Sequence, residues 1–233
     1  MGEDTVTKQE GSITPEEYWT TDGMKARLLE AANGKLIVAA NFPSTVLLNE
    51  TWRGMLEDIF YQSEVARGGR TTFYFEHPEE NARIVKTNAA RNVILVSTKN
   101  LKGENTHVSI DSGKVKPPEI FLGILHKHPV EALFSSEDIL PMIAKGGQFV
   151  EGVVTPSRYY LTFRASDSTS LSTDPLVNRG YMLAMAKTHH APTSTIPPNN
   201  VMGFSMTPKM FKELRMPLYE GLRGQAKLTR VLK

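Results

Sequence analysis

"EIFLGILHKHPVEALFSSEDILPMIAKGG", residues 119–147, carries three signals in one stretch. Residues 119–126 form an apolar run short enough for a central strand of a sheet. His126 and His128 stand at its carboxyl end, one residue apart, with Pro129 behind them. Serines able to cap a helix follow, then acids in a first turn, then a lysine and a glycine pair, so the spacing predicts a short helix over 135–147. Pro141 falls near its first turn or kinks it.

Residues i and i+2 of a strand face the same side, so His126 and His128 can point at one ion while Lys127 faces the other way. Lys127 is expected to reach solvent by snorkelling. Asp138 falls in the first turn of the following helix, within reach of the same point. Two imidazoles and a carboxylate suit zinc and leave a fourth tetrahedral position, as in catalytic zinc sites. The chain contains no cysteine, so disulfides, thiolate ligands and a cysteine nucleophile are excluded, and any metal must be held by nitrogen and oxygen.

Working outward, "QFVEGVVT" (148–155) and "RYYLTFRA" (158–165) read as a hairpin around "PS". Upstream, "NETWRGMLEDIFYQ" (49–62) places Trp52, Met55, Leu56, Ile59 and Phe60 on one face of an amphipathic helix that should pack on a sheet. "KLIVAANF" (35–42), "TTFYFEH" (71–77), "RNVILVST" (91–98) and "THVSI" (106–110) read as further strands. The order of elements gives a mixed α/β layer structure built on one main sheet. Residues 1–34 read as an N-terminal arm, 35–165 as the domain, and 166–233 as a C-terminal extension with Ser/Thr/Pro-rich linkers. Within that extension 175–190 has the pattern of a helix.

The 40% hydrophobic and 22% charged fractions are those of an ordinary globular chain, and a net charge of +2 selects no class of partner. The acidic, polar first thirty residues lack the basic start and apolar core of a secretory signal, and no apolar run is long enough to cross a bilayer, so a cytoplasmic location is expected. "THH" (188–190) has no acid partner nearby, and "ARGGR" (66–70) lacks the ending of a phosphate-binding loop. From Lys209 to Lys233 seven basic residues stand against two acidic ones. Leucines run through that tail, so docking on protein is favoured over nucleic acid.

The pattern H-x-H-P, a spacer, then S-x-x-D is similar to the JAMM signature of the JAB1/MPN metallopeptidases; it is carried here by His126, His128, Pro129, "VEALF", Ser135 and Asp138. The order of elements over roughly 35–165 also resembles that family. The resemblance implies a JAB1/MPN-like mixed sheet flanked by helices, with extended N- and C-terminal segments. It implies Zn2+ held by His126, His128 and Asp138, with Ser135 binding and polarising the scissile carbonyl. It also implies an upstream glutamate as general base and acid. Glu64 in "SEVARGG", after the 49–62 helix, fits that segment, with Glu76 in reserve. The activity implied is peptidase or isopeptidase hydrolysis of a protein or peptide substrate, such as ubiquitin-like conjugates; the alternative is a catalytically silent MPN-like scaffold. The C-terminal extension is expected to pack in pieces without forming a second core, and to mediate homo-oligomer or larger assembly.

Overall fold

The computed structural model describes residues 18–65, 81–88, 93–96, 101–102, 115, 118–128, 130–145, 147–196 and 201–231. In chain order the elements are β1 (Tyr18–Thr20), α1 (Thr21–Ala32), a 3-10 turn (Ala39–Asn41), β2 (Thr45–Leu47), α2 (Glu50–Val65), β3 (Asn81–Asn88), β4 (Val93–Val96), β5 (Leu101–Lys102), β6 (Glu119–Lys127), α3 (Ser136–Ile143), β7 (Val150–Val154), β8 (Arg158–Phe163), α4 (Pro175–Thr188), β9 (Thr193–Ile196), β10 (Val201–Phe204), α5 (Pro208–Glu213), β11 (Leu218–Leu222) and β12 (Lys227–Arg230). The expected strands at 71–77 and 106–110 lie outside the described residues.

Among the described residues ten strands form one mixed sheet in the order β1-β2-β12-β11-β8-β7-β6-β3-β4, with β5 also paired to β3. β1–β2 and β6–β7 are parallel and the other pairs antiparallel. A parallel pair needs a long connection, and the one between β6 and β7 contains α3. The β6–β7 approach is close: a Cβ on Gly123 would lie 1.7 Å from the Val150 carbonyl oxygen, so only glycine fits there.

Alternation along the central strands divides the side chains between two apolar clusters. Val150 and Val154 of β7, with Tyr159, Leu161 and Phe163 of β8, join Trp52, Leu56 and Ile59 of α2 in one. Val153 joins Ile139 and Met142 of α3, Met182 and Met185 of α4, and Phe211 of α5 in the other. The β3–β6 register shifts between Val85 and Lys86, a bulge that skips Leu122. The bulge explains how Leu122 and Leu125, three residues apart, both join the α2 cluster.

Asn49 caps α2, its Oδ1 accepting from the Trp52 amide at 3.0 Å. Glu57 then ties the helix to the sheet. It accepts from the Tyr159 hydroxyl and, at 2.8–3.0 Å, from the Arg223 guanidinium beyond β11. The same guanidinium stacks 3.7 Å from the centroid of Phe60.

Several expectations are corrected. Residues 35–42 are not a strand: Ala39–Asn41 is a 3-10 turn, and the Ala39 amide is satisfied by Asp167 Oδ1 at 2.6 Å rather than by a neighbouring strand. The 1–34 segment is more than an arm. Trp19 of β1 is buried against Phe42 and Phe163, and Met24, Leu28 and Ala31 of α1 form a buried helical stripe. Residues 166–233 supply two interior strands of the main sheet, β11 and β12, and much of the second apolar cluster. Lys127 does face away from the histidines but reaches no solvent: it is 1% exposed, with Nζ 4.3 Å from the Phe60 ring centroid. No helix among the described residues is long and apolar enough to cross a membrane.

Two outcomes follow from this arrangement. Truncating the chain after residue 191 removes β11 and β12 from between β8 and β2 and should abolish the cooperative thermal transition, read by circular dichroism. The second outcome concerns Glu57. Burial works to raise its pKa, but Arg223 and Tyr159 outweigh that and hold it below the usual carboxylate value of 4.5. A depressed pKa contributes stability above the unfolded value and loses it as pH falls through the folded one. The melting-temperature gap between wild type and Glu57→Gln should therefore be widest at neutral pH and shrink below about pH 4.5.

Candidate metal centre

The ladder around β6 fixes the histidines. His126 is paired with Val153 of β7 on one side and with Ala82 of β3 on the other. The His128 amide donates to the Val154 carbonyl at 2.9 Å, so extended pairing runs past the end of β6 and His128 keeps the alternation that His126 begins. Both side chains are buried on the α3 face, with their Nε2 atoms 3.0 Å apart.

Asp138 arrives from α3. Ser135 is the N-cap: its Oγ accepts from the Asp138 amide at 3.3 Å, and the Ser135 amide donates back to Asp138 Oδ2 at 2.6 Å, completing a capping box. The box fixes the carboxylate towards the histidines. Oδ1 lies 3.4 Å from His126 Nε2 and Oδ2 lies 3.2 Å from His128 Nε2. The spacer "VEALF" is long enough to bring α3 to this position, and the Met206 amide, donating to the Phe134 carbonyl at 2.8 Å, ties its end to the chain beyond β10.

The outer ring nitrogens decide what the inner ones offer. His126 Nδ1 is 2.9 Å from Glu151 Oε1, and His128 Nδ1 is 3.3 Å from the Ala132 carbonyl oxygen. A carbonyl only accepts, so His128 Nδ1 carries hydrogen; when Glu151 is ionised it too only accepts, His126 Nδ1 carries hydrogen, and both Nε2 lone pairs turn inward. Two lone pairs and a carboxylate facing each other in a buried site repel unless a cation lies among them. In the metal-free chain a proton serves. Burial disfavours charge on His126, but Asp138 and Glu151 override it and hold its pKa well above the usual imidazole value. Burial likewise opposes ionisation of Asp138, and His126 and His128 hold it well below the usual range. Burial pushes Glu151 up to about 7, against the pull of His126.

His126, His128 and Asp138 can also hold a metal ion: their ligand atoms all lie within 4.8 Å of one another. Four donors at tetrahedral angles and bonds of about 2.0–2.1 Å sit about 3.3 Å apart. The observed separations of 3.0, 3.2 and 3.4 Å are of that order, the two to Asp138 falling on different carboxylate oxygens.

Of the other predicted site residues, Ser135 is brought beside Asp138 by the cap. Glu64 lies within the last turn of α2, which runs to Val65 and past the expected end at 62; its side chain, like Glu76 as a whole, lies outside the described residues. Sequence reasoning missed Glu151 and Gln148, whose side-chain amide donates to Glu151 Oε2. The available signal was a lone acid in the otherwise apolar strand "FVEGVV" (149–154), on the same face as Val153.

Compared with known proteins, the chain matches no family model, no curated protein and no solved structure.

Purified full-length protein should retain about one equivalent of a divalent transition metal per chain by elemental analysis. His126→Ala and Asp138→Ala should each abolish it. Asp138→Ala also removes half of the capping box and the carboxylate that faces both imidazoles, so its metal-free form should be less stable than metal-free wild type in denaturant unfolding.

Proposed function

We propose that this chain is a zinc-dependent peptidase or isopeptidase of the JAMM type, acting on a protein or peptide substrate. The observation that supports the reading best is the convergence of His126, His128 and Asp138, in the H-x-H and S-x-x-D arrangement, with their ligand atoms all within 4.8 Å of one another. Nitrogen and oxygen donors in a two-histidine, one-carboxylate set suit zinc and leave a position for substrate or water. When bound, zinc supplies Lewis acidity, polarising a carbonyl and lowering the pKa of water towards about 7.

The chain's own residues divide the remaining work. His126, His128 and Asp138 hold the ion. Ser135 gives its lone pair to the Asp138 amide, and its hydroxyl proton can be directed at the oxygen of a scissile carbonyl, where negative charge develops. In this reading Glu64 takes a proton from the attacking water and returns it to the leaving amine. The resemblance of the "SEVARGG" segment alone carries this assignment, since α2 packs through Phe60 on the sheet face that Lys127, and not the histidines, presents. A cleft between α3 and α4, lined by Ser136, Glu137, Leu140, Arg179, Met182 and Phe204, opens beside the first turn of α3 and offers an extended chain a place to lie.

The test is cleavage of peptide and ubiquitin-like isopeptide substrates by zinc-loaded protein, comparing wild type with Glu64→Gln and Ser135→Ala. Loss of the general base is expected to lower kcat by about 10²–10⁴ with zinc content unchanged. Activity indifferent to Glu64→Gln would move the base to another residue. Zinc binding with no cleavage would favour the catalytically silent scaffold.

A further inference from the structure

We propose that Glu151 is the positioning residue of the metal centre, a buried carboxylate that fixes the ring and tautomer of His126 and is itself oriented by Gln148. The proposal rests on the metal-centre reading above and adds to it two residues outside the H-x-H and S-x-x-D pattern.

The sheet itself supplies the placement. β7 runs parallel to β6, and in that register Glu151 is opposite Ile124 while Val153 is opposite His126. Glu151 and Val153 share the α3 face, so the Glu151 side chain lies beside His126, 2.9 Å from its Nδ1. Glu151 is 1% exposed and Gln148 5%. Burying a carboxylate is costly unless it is paired and hydrogen-bonded. An aliphatic residue there would pack as Val153 does and avoid that cost.

The partners of the carboxylate account for its presence. One oxygen accepts from His126 Nδ1 and the other from the Gln148 amide, so the chain Gln148–Glu151–His126 ends at the Nε2 atom that faces Asp138 and His128. A metal-ligating histidine held at its far nitrogen by a carboxylate is more basic and has one orientation, and losing such a partner costs about 10- to 100-fold in metal affinity. His128, held by the Ala132 carbonyl at 3.3 Å, has only a neutral and longer contact. The asymmetry makes His126 the stronger donor of the two.

The full-length chain allows a direct test using Zn2+ in competition with a chromophoric chelator. Glu151→Gln should weaken binding about 10- to 100-fold. Gln148→Ala should weaken it less, and Glu151→Asp should fall between wild type and Glu151→Gln. Thermal melts of the metal-free variants identify any that fail to fold, and the remaining variants carry the comparison. A second readout needs no metal: the Nδ1 proton of His126, assigned by nitrogen-coupled NMR, should resonate far downfield in wild type and lose that shift in folded Glu151→Gln or Glu151→Asp. Wild-type zinc affinity retained in folded Glu151→Gln overturns the proposal, as does an unshifted His126 proton in wild type. If wild type binds no zinc, the metal-centre reading fails, and the NMR arm still decides whether Glu151 holds His126.

Discussion

β6 and β7 run parallel, and a parallel pair cannot be closed by a tight turn. The chain must leave β6 at its carboxyl end, cross a face of the sheet and return to start β7 at the opposite end. That constraint puts α3 on the histidine face and its N-terminus near the point where β6 ends, bringing Asp138 to His126 and His128. It also sets β7 beside β6 in a register that delivers Glu151 to the outer nitrogen of His126. One topological choice therefore supplies both the candidate ligand set and its proposed support. Gly123 is what the choice demands of the sequence, since any side chain there would strike the Val150 carbonyl.

The two faces of β6 are chemically opposed, and the alternation of the strand keeps them apart. His126 faces α3 among carboxylates, whereas Lys127 faces α2, buried and stacked on Phe60. Had the strand slipped by one residue, the ammonium would enter the candidate metal centre and the imidazoles the apolar layer, so register is strongly specified here. The bulge at Leu122 does not disturb this, because it lies upstream and the pairing from Gly123 to Lys127 with β7 is continuous. Arg223, stacked on the same Phe60 ring and bound to Glu57, fixes α2 against this face.

What the sequence made legible was local. β6, α3, the β7–β8 hairpin, α2 and α4 are marked by caps, periodicity or turn residues within a dozen positions, and the candidate ligand triad falls within such a stretch. What it hid was non-local. The strands β11 and β12 are short and lie among basic residues, so they read as a tail; only pairing with β8 and β2 makes them interior strands. The stripe Met24, Leu28, Ala31 lies in a mildly amphipathic segment whose apolar side is recognisable once Phe42 and Phe163 are seen to meet Trp19 nearby. Residues 35–42 show the reverse error: an apolar run has strand composition, yet the Ala39 amide is satisfied by a loop carboxylate and the Asn41 and Phe42 amides by carbonyls of the turn itself.

Glu151 was hidden for a further reason. A ligand set announces itself through residue types at fixed spacing along one segment, but a supporting residue need only reach a ligand through space. Here that reach depends on β7 lying beside β6, parallel, with Glu151 on the α3 face. A lone acid in an apolar strand is the trace that such support leaves in a sequence. Burial removes the carboxylate from water, and Gln148 and His126 take the place of the hydration lost. The cost of the buried charge is thereby tied to the histidine, so an apolar residue at 151 would relieve the burial cost but release the ring that Glu151 orients.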